Sequence, residues 1–82
     1  MVHVYVLQSK SSGRIYIGHT ADIERRLREH QSGQSRSTRE RGPWVLVGQC
    51  LFDSRAEAMQ KERELKAMKN PKRVLAEVAT WS

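Results

Sequence analysis

The start of the chain constrains the fold most strongly, because two short segments there alternate in the manner of β-strands. Residues 3–8 (HVYVLQ) and 14–18 (RIYIG) are rich in β-branched and aromatic side chains. Residues 9–13 (SKSSG) between them have the composition of a turn. This pattern is typical of a β-hairpin whose strands are joined by a tight, polar connection.

Side-chain alternation along the hairpin predicts where its two tyrosines lie, since neighbouring residues of a strand face opposite sides of the sheet. The aliphatic side chains expected to face the core are Val4, Val6, Ile15 and Ile17. Tyr5 and Tyr16 then share the other face, with His3 and Arg14. Paired tyrosines usually pack half-buried. Their hydroxyls could instead hold a phosphate or a water, if a nearby positive charge or metal made the phenolate accessible.

The rest of the chain adds one strand and three helices. The predicted segments are a helix over 21–31, a strand over 44–52, a helix over 54–68 and a helix from residue 71 onward. The strand is apolar at nearly every position, which predicts that both of its faces are covered. The order ββαβαα indicates an α/β (α+β) fold in which helices pack around a small antiparallel sheet.

Polar residues at the helix starts support these boundaries. Thr20 is the expected N-cap of the first helix. Ser54 followed three residues later by Glu57 has the spacing of a capping box. Asn70 before Pro71 combines an N-cap with proline at the first helical position.

Length and composition limit the function classes. A chain of 82 residues predicts a single domain over residues 1–82. The single cysteine, Cys50, excludes an intramolecular disulfide and a cysteine zinc cage, and a cytoplasmic location is expected. The apolar runs are too short to span a membrane. The net charge of +6 favours a polyanionic partner such as nucleic acid, and a basic surface without such a partner is the alternative.

Glu62 is the most informative single position. On a helical wheel it lies about 40° from Ala58 and about 60° from Leu65, inside the apolar stripe of its helix. A carboxylate there needs a partner, because burying an unpaired charge is costly. A metal ion or a buried arginine would satisfy it. The alternative is a side chain at the edge of the stripe that reaches water and pairs with Lys66.

A cation and two histidines are candidates for phosphoryl chemistry. Arg26 and His30 are four residues apart and share one helix face. A fixed cation beside a group that titrates near neutral pH suits charge stabilisation and proton transfer. His19 follows the second strand, where it could contact phosphate or be an ordinary polar residue of the connection. Three histidines without ligand spacing do not predict a zinc site.

The polar segment 32–43 carries a group of cations. Arg36, Arg39 and Arg41, with Ser37 and Thr38, have the composition of a rim that contacts a phosphate backbone. An ordinary basic surface loop is the alternative. The sequence has no stripe of exposed aromatic residues, so stacking on single-stranded bases is not indicated.

Several segments, taken in order, resemble the GIY-YIG nuclease superfamily. They are VYVL (4–7), YIG (16–18), TADIERRLREH (20–30), TRERGPWVLV (38–47) and AMQKERELK (58–66). They are most similar to the small single-domain bacterial branch, which is related to the catalytic domains of excision-repair and structure-specific endonucleases. The resemblance covers roughly residues 3–68.

The resemblance implies a three-stranded antiparallel sheet flanked by helices and a metal-dependent endonuclease that hydrolyses phosphodiester bonds in DNA, in repair or recombination. Tyr5 or Tyr16 would help to deprotonate or orient the attacking water. Arg26 would stabilise charge at the phosphorus. His30 would assist proton transfer or position Tyr5. Glu62 would bind Mg²⁺, with Mn²⁺ as a substitute.

The resemblance also implies that Gly18 lets the backbone approach the site closely. The candidate phosphate contacts are Gly18, His19, Arg36, Thr38, Arg39 and Arg41. The expected partner is DNA rather than RNA, with a protein partner for targeting and no membrane. One alternative is a non-catalytic nucleic-acid-binding module that retains the fold. Another is a protein-interaction domain that recruits a repair partner.

Overall fold

A computed structural model of the chain describes residues 1–32 and 43–81. Its elements are β1 (Val2–Ser9), β2 (Ile15–Thr20), α1 (Ile23–Gln31), β3 (Trp44–Phe52), α2 (Arg55–Ala67), α3 (Pro71–Val78) and a 3₁₀ turn over Ala79–Trp81. The order ββαβαα and the α+β class confirm the sequence prediction. The loop candidates Arg36, Ser37, Thr38, Arg39 and Arg41 lie outside the described residues.

The three strands form one antiparallel sheet in the order β2-β1-β3. The central strand β1 is buried along most of its length. Its pairing with β3 is irregular between Val6 and Leu7, where a register shift occurs. The outer edges of the sheet are formed by β2 and β3. The side chains of β2 are therefore mostly only partly buried.

The register confirms the predicted alternation of the hairpin. Tyr5 pairs with Gly18, and Leu7 pairs with Tyr16. Directly opposed residues of an antiparallel pair face the same side, so the two tyrosines share one face of the sheet. On that face Tyr5 and Leu7 pack with Trp44 and with residues of α1. The opposite face carries the aliphatic core: Val2, Val4 and Val6 with Ala58, Leu65, Val74 and Val78 of α2 and α3.

The start of α1 differs from the prediction. Strand β2 continues to Thr20, so the chain enters the helix two residues later than expected. Asp22 is the N-cap, and its carboxylate accepts a hydrogen bond of 3.1 Å from the backbone N–H of Arg25. Thr20 was therefore wrong as the cap. Its hydroxyl accepts from the backbone N–H of Asp22 instead.

The other two caps are confirmed. The Ser54 hydroxyl accepts from the backbone N–H of Glu57, which is one half of a capping box. Asn70 accepts from the backbone N–H of Lys72, with Pro71 in the first turn of α3. The described helices include none that is both long and apolar enough to cross a membrane.

Strand β3 is less covered than its apolar sequence predicts. Trp44 is buried at its start, whereas Val45 and Leu51 are exposed. The prediction of two covered faces was therefore wrong for part of the strand, because β3 lies at the edge of the sheet. Gly48 allows α3 to approach closely. A Cβ there would lie 1.9 Å from Cγ1 of Val78.

Candidate active site

Three rings meet between the sheet and α1. The hydroxyl of Tyr5 lies 3.0 Å from Nε2 of His30, which is in the last turn of α1. The ring of Tyr16 stacks obliquely on both, with centroids 6.1 Å from Tyr5 and 4.7 Å from His30. Tyr5 and His30 are 1% and 2% exposed, whereas Tyr16 is only partly buried. Tyr16 is thus the ring of the three that reaches the surface.

Gly18 makes room for this cluster. A Cβ at this position would lie 2.7 Å from the Tyr5 hydroxyl oxygen and 2.9 Å from its Cζ atom. Real Cβ atoms essentially never approach so closely. The glycine of the Tyr-Ile-Gly segment therefore has a packing reason: the Tyr5 side chain lies across its backbone.

Arg26 connects the two tyrosines to the surface. Its Nη1 donates to Oε1 of Glu29 at 2.6 Å, and its side chain is 35% exposed. This hydrogen bond with Glu29 is the main cause of a guanidinium pKa above its ordinary value, and the hydroxyls of Tyr5 and Tyr16 act in the same direction. Arg26 and His30 thus meet at the same tyrosine, as their shared helix face predicts.

Burial keeps the inner pair of side chains neutral. It raises the pKa of Tyr5 to about 12, although a hydrogen bond from Arg26 opposes this shift. It also lowers the pKa of His30, and the positive charge of Arg26 adds to the effect. Near pH 7 a phenol and a neutral imidazole therefore share the hydrogen bond between them.

Glu62 lies on the other side of β2. Its Oε1 is 2.7 Å from Nδ1 of His19, and its Oε2 accepts from Nζ of Lys66 at 2.9 Å. Burial opposes ionisation of this carboxyl, but the hydrogen bonds from His19 and Lys66 outweigh burial and leave its pKa below the ordinary value. The side chain is 17% exposed. The predicted need for a partner is met by these two residues.

A cleft of about 440 Å³ lies at the end of β2, between His19, which bonds Glu62, and Arg26, which lies beside the tyrosines. It is lined by His19, Thr20, Ala21, Asp22, Arg25, Arg26, Glu29 and Arg55. His19 pairs with Val4 and so faces α2, whereas Arg26 reaches the cleft from α1. The cleft therefore places the partner of Glu62 and the partner of the tyrosines on one basic surface.

Glu62 is the carboxylate of this region that could hold a metal ion, in exchange for its present bonds to His19 and Lys66. Mg²⁺ typically binds one or two protein carboxylates and completes its octahedron with waters and substrate phosphates. Glu62 provides such a carboxylate near the surface, beside the imidazole of His19. Within residues 1–32 and 43–81, no three His, Cys, Asp or Glu side chains are grouped to hold a metal together. A metal bound here would therefore be held by one carboxylate together with waters and substrate, rather than by a protein cage.

Comparison with known protein families assigns this fold to a class of nucleases. Residues 1–74 match the family described as the GIY-YIG catalytic domain. The chain belongs to this family, which is a family of nucleases and implies a nucleic-acid substrate.

Relatives from bacteria and archaea are similar over most of their length. The UPF0213 protein BH0048 of Halalkalibacterium halodurans is 42% identical over 72 residues, covering 87% of this chain and 76% of that one. UPF0213 protein HQ_3675A of Haloquadratum walsbyi is 40% identical over 80 residues, covering 95% and 89%. The solution NMR structure of BH0048 aligns with a TM-score of 0.51 at 43% identity, covering 82% of this chain and 72% of that one.

One residue of the cluster was missed in the sequence. Glu29 holds Arg26 through a hydrogen bond and was not singled out. The signal was present, since residues three apart on a helix are neighbours and an Arg–Glu pair at that spacing attracts. It was hidden because Arg25 and Arg26 both lie within reach of Glu29, and both pair with it.

Proposed function

We propose that the chain is a metal-dependent endonuclease that hydrolyses phosphodiester bonds in DNA. The observation that carries the proposal is the position of Arg26. Its guanidinium interacts with the hydroxyls of Tyr5 and Tyr16 and lines the same cleft as His19, the partner of Glu62. A phosphate in this cleft would meet the guanidinium of Arg26 and the imidazole of His19, and each of these contacts a further residue of the proposed site.

The two tyrosines have different roles in this proposal. Tyr16 reaches the surface and would orient the attacking water or contact the phosphate. Tyr5 is buried, and its pKa of about 12 makes it a poor base, so it acts as a positioning residue. His30 supports Tyr5 through their hydrogen bond. Arg26 would stabilise the negative charge that develops on the phosphoryl oxygens.

Glu62 would hold the divalent ion, Mg²⁺ or in its place Mn²⁺. When bound, such an ion polarises a phosphoryl oxygen and lowers the pKa of a bound water. His19 and Lys66 hold the two Glu62 oxygens and keep the carboxyl ionised. A carboxyl that stays ionised at neutral pH is the form that a hard cation binds.

The cations of the cleft and those of segment 32–43 would contact the phosphate backbone. Arg25, Arg26 and Arg55 line the cleft. The further contacts proposed from sequence are Gly18, His19, Arg36, Thr38, Arg39 and Arg41. The chain would act on DNA rather than RNA, in repair or recombination in the cytoplasm, with a partner protein that directs it to its substrate.

A second candidate is a nucleic-acid-binding module without turnover. It is favoured by the state of Glu62, whose two oxygens are both occupied by side chains of the same molecule. Such a module would bind DNA with a strong dependence on salt, because binding releases counterions from the phosphates.

The test separates these candidates. Labelled duplex, single-stranded, flap and branched DNA, and one RNA, are incubated with the protein in Mg²⁺, in Mn²⁺ and in EDTA. The proposal predicts cleavage of at least one DNA that requires the metal and is abolished by Arg26→Ala. Salt-dependent binding by folded protein, without cleavage in either metal, would favour the binding module.

A further inference from the structure

A second cleft, of about 410 Å³, follows the outer edge of β2 toward the junction of α2 and α3. Much of its lining is apolar and includes the accessible side chains of Ile15, Ile17 and Pro71. Its volume is within the range of about 300–1,000 Å³ found for small-ligand sites. Tyr16 lines this cleft too, so it begins at the tyrosine that reaches the surface of the candidate active site.

The charges around this β2-edge cleft have one sign. Arg14, Lys66 and Lys69 line it, and no carboxylate does so among the described residues. Within the part of the chain that the structure describes, neither Arg14 nor Lys69 forms a side-chain ion pair. Lys66 bonds Glu62 and so connects the cleft to the candidate metal ligand. An apolar floor with a cationic rim fits a ligand that has a flat apolar part and a phosphate.

The backbone conformation of Lys69 is unusual for a lysine. Its φ of 56° is in the left-handed region just after α2, where glycine or asparagine is usual. A lysine there costs conformational energy that either of those residues would largely avoid. Left-handed residues are common at helix ends, and strained ones also cluster at functional sites. Here the strained residue is one of the two rim cations without an ion pair.

We propose that the β2-edge cleft binds one unpaired nucleotide of the DNA strand, next to the phosphate that is cut. This rests on the proposed nuclease function and specifies its substrate. The base would lie on the apolar side chains beside Tyr16, and its phosphates would contact Arg14 and Lys69. A base stacked inside a duplex cannot enter such a cleft, whereas a flipped or bulged base can. The substrate class is therefore DNA with an unpaired nucleotide at the cleavage site.

The binding test uses three labelled duplexes in EDTA, so that no strand is cut. One duplex has a single bulged thymidine, one has that thymidine paired, and one has an abasic residue in the bulge. Fluorescence anisotropy should show the bulged thymidine bound about tenfold more tightly than the paired duplex, as expected for one base on an apolar surface. The abasic bulge should lose most of that preference.

A matched pair of variants separates binding in the cleft from the general attraction between a basic protein and DNA. Lys69→Gln and Lys72→Gln each remove one charge, and only Lys69 lines the cleft. Lys69→Gln should reduce the preference for the bulge at least threefold, whereas Lys72→Gln should weaken all three duplexes equally and keep the preference. A third variant, Lys69→Asn, should raise the Tm because asparagine tolerates the left-handed conformation, while it lowers the preference.

The same duplexes in Mg²⁺ distinguish this inference from the proposed function. Equal binding and equal cleavage of the bulged and paired duplexes would overturn the inference and leave the nuclease standing. A bulge preference that Lys69→Gln reduces, without cleavage in any metal, would support the cleft and overturn the nuclease. An equal effect of Lys69→Gln and Lys72→Gln on the preference would also overturn the inference.

Discussion

The hydroxyl of Tyr5 is hydrogen-bonded to Nε2 of His30 at 3.0 Å, and both side chains are almost completely buried. Two of the proposed site residues, Tyr5 and His30, therefore lie inside the protein, beneath the side chains that reach the surface. Tyr16 and Arg26 form that outer layer. The arrangement separates residues that position the site from residues that would touch the substrate, and the two kinds respond differently to substitution.

The two tyrosine-to-phenylalanine variants should differ in stability. Tyr5→Phe removes a buried hydroxyl that His30 bonds, and this should cost about 1 kcal/mol of unfolding free energy. Tyr16→Phe affects a partly exposed hydroxyl and should cost less than about 0.5 kcal/mol. Both should slow cleavage. Urea unfolding and cleavage rates measure the two effects, and a Tyr16→Phe protein as active as the parent would contradict the role assigned to Tyr16.

The folded protein should lose stability as the pH falls through the range in which histidine titrates. Burial and the charge of Arg26 lower the pKa of His30 in the folded state. The unfolded chain then binds a proton at about pH 6.5, where the folded state still resists it, so stability decreases with acidification below that value. The pH dependence of the Tm should be shallower in His30→Gln. His3→Gln is the control and should retain the parent slope.

Gly18→Ala and Gly13→Ala should both lower the free energy of unfolding, but for different reasons. The added Cβ of Gly18→Ala meets the Tyr5 hydroxyl at 2.7 Å, so it should cost about 1–3 kcal/mol and displace Tyr5. At Gly13 the space is open but φ is +76°, so the cost should be about 1–2 kcal/mol from backbone strain alone. Cleavage should fall in Gly18→Ala and persist in folded Gly13→Ala. Equal activity of the two variants would contradict the packing role of Gly18.

The contact between β3 and α3 should show strong coupling. Gly48→Ala places a Cβ 1.9 Å from Cγ1 of Val78, and overpacking of this kind costs about 1–3 kcal/mol. Val78→Ala removes the obstructing methyl groups. The double variant should therefore be more stable than the sum of the single effects predicts. Additive costs, measured by urea unfolding of all four proteins, would contradict the close approach of the two elements.

Local rules were enough to predict the hairpin and its two faces. Alternation requires only that neighbouring side chains point to opposite sides, and the pairing of Tyr5 with Gly18 satisfies it. The caps at Ser54 and Asn70 are equally local. Thr20 was misassigned as a cap because sequence pattern does not fix where β2 stops pairing with β1.

Features that depend on tertiary contacts were harder to predict. The apolar stripe showed that Glu62 needs a partner, but it could not choose among a metal ion, an arginine and Lys66. His19 bonds Glu62 because β2 runs beside α2 and His19 faces that helix. The position of β2 beside α2 depends on the order of the strands in the sheet. The burial of Tyr5 and His30 depends in the same way on how α1 lies on the sheet.

The most direct measurement of the central claim compares single-turnover cleavage by Glu62→Gln and Glu64→Gln in Mg²⁺. Both variants remove one negative charge from α2, but Glu64 is more exposed and pairs only with Lys61 among the described residues. Glu62→Gln should fold, with a Tm several degrees below that of the parent because its amide NH2 replaces an oxygen that accepts from His19 or Lys66. It should cleave more than about a hundredfold more slowly, since the loss of a metal ligand exceeds the usual effect of losing a residue that only supports one. Glu64→Gln should retain the parent rate. A folded Glu62→Gln protein that cuts DNA as fast as the parent would contradict the assignment of Glu62 as the metal-binding carboxylate.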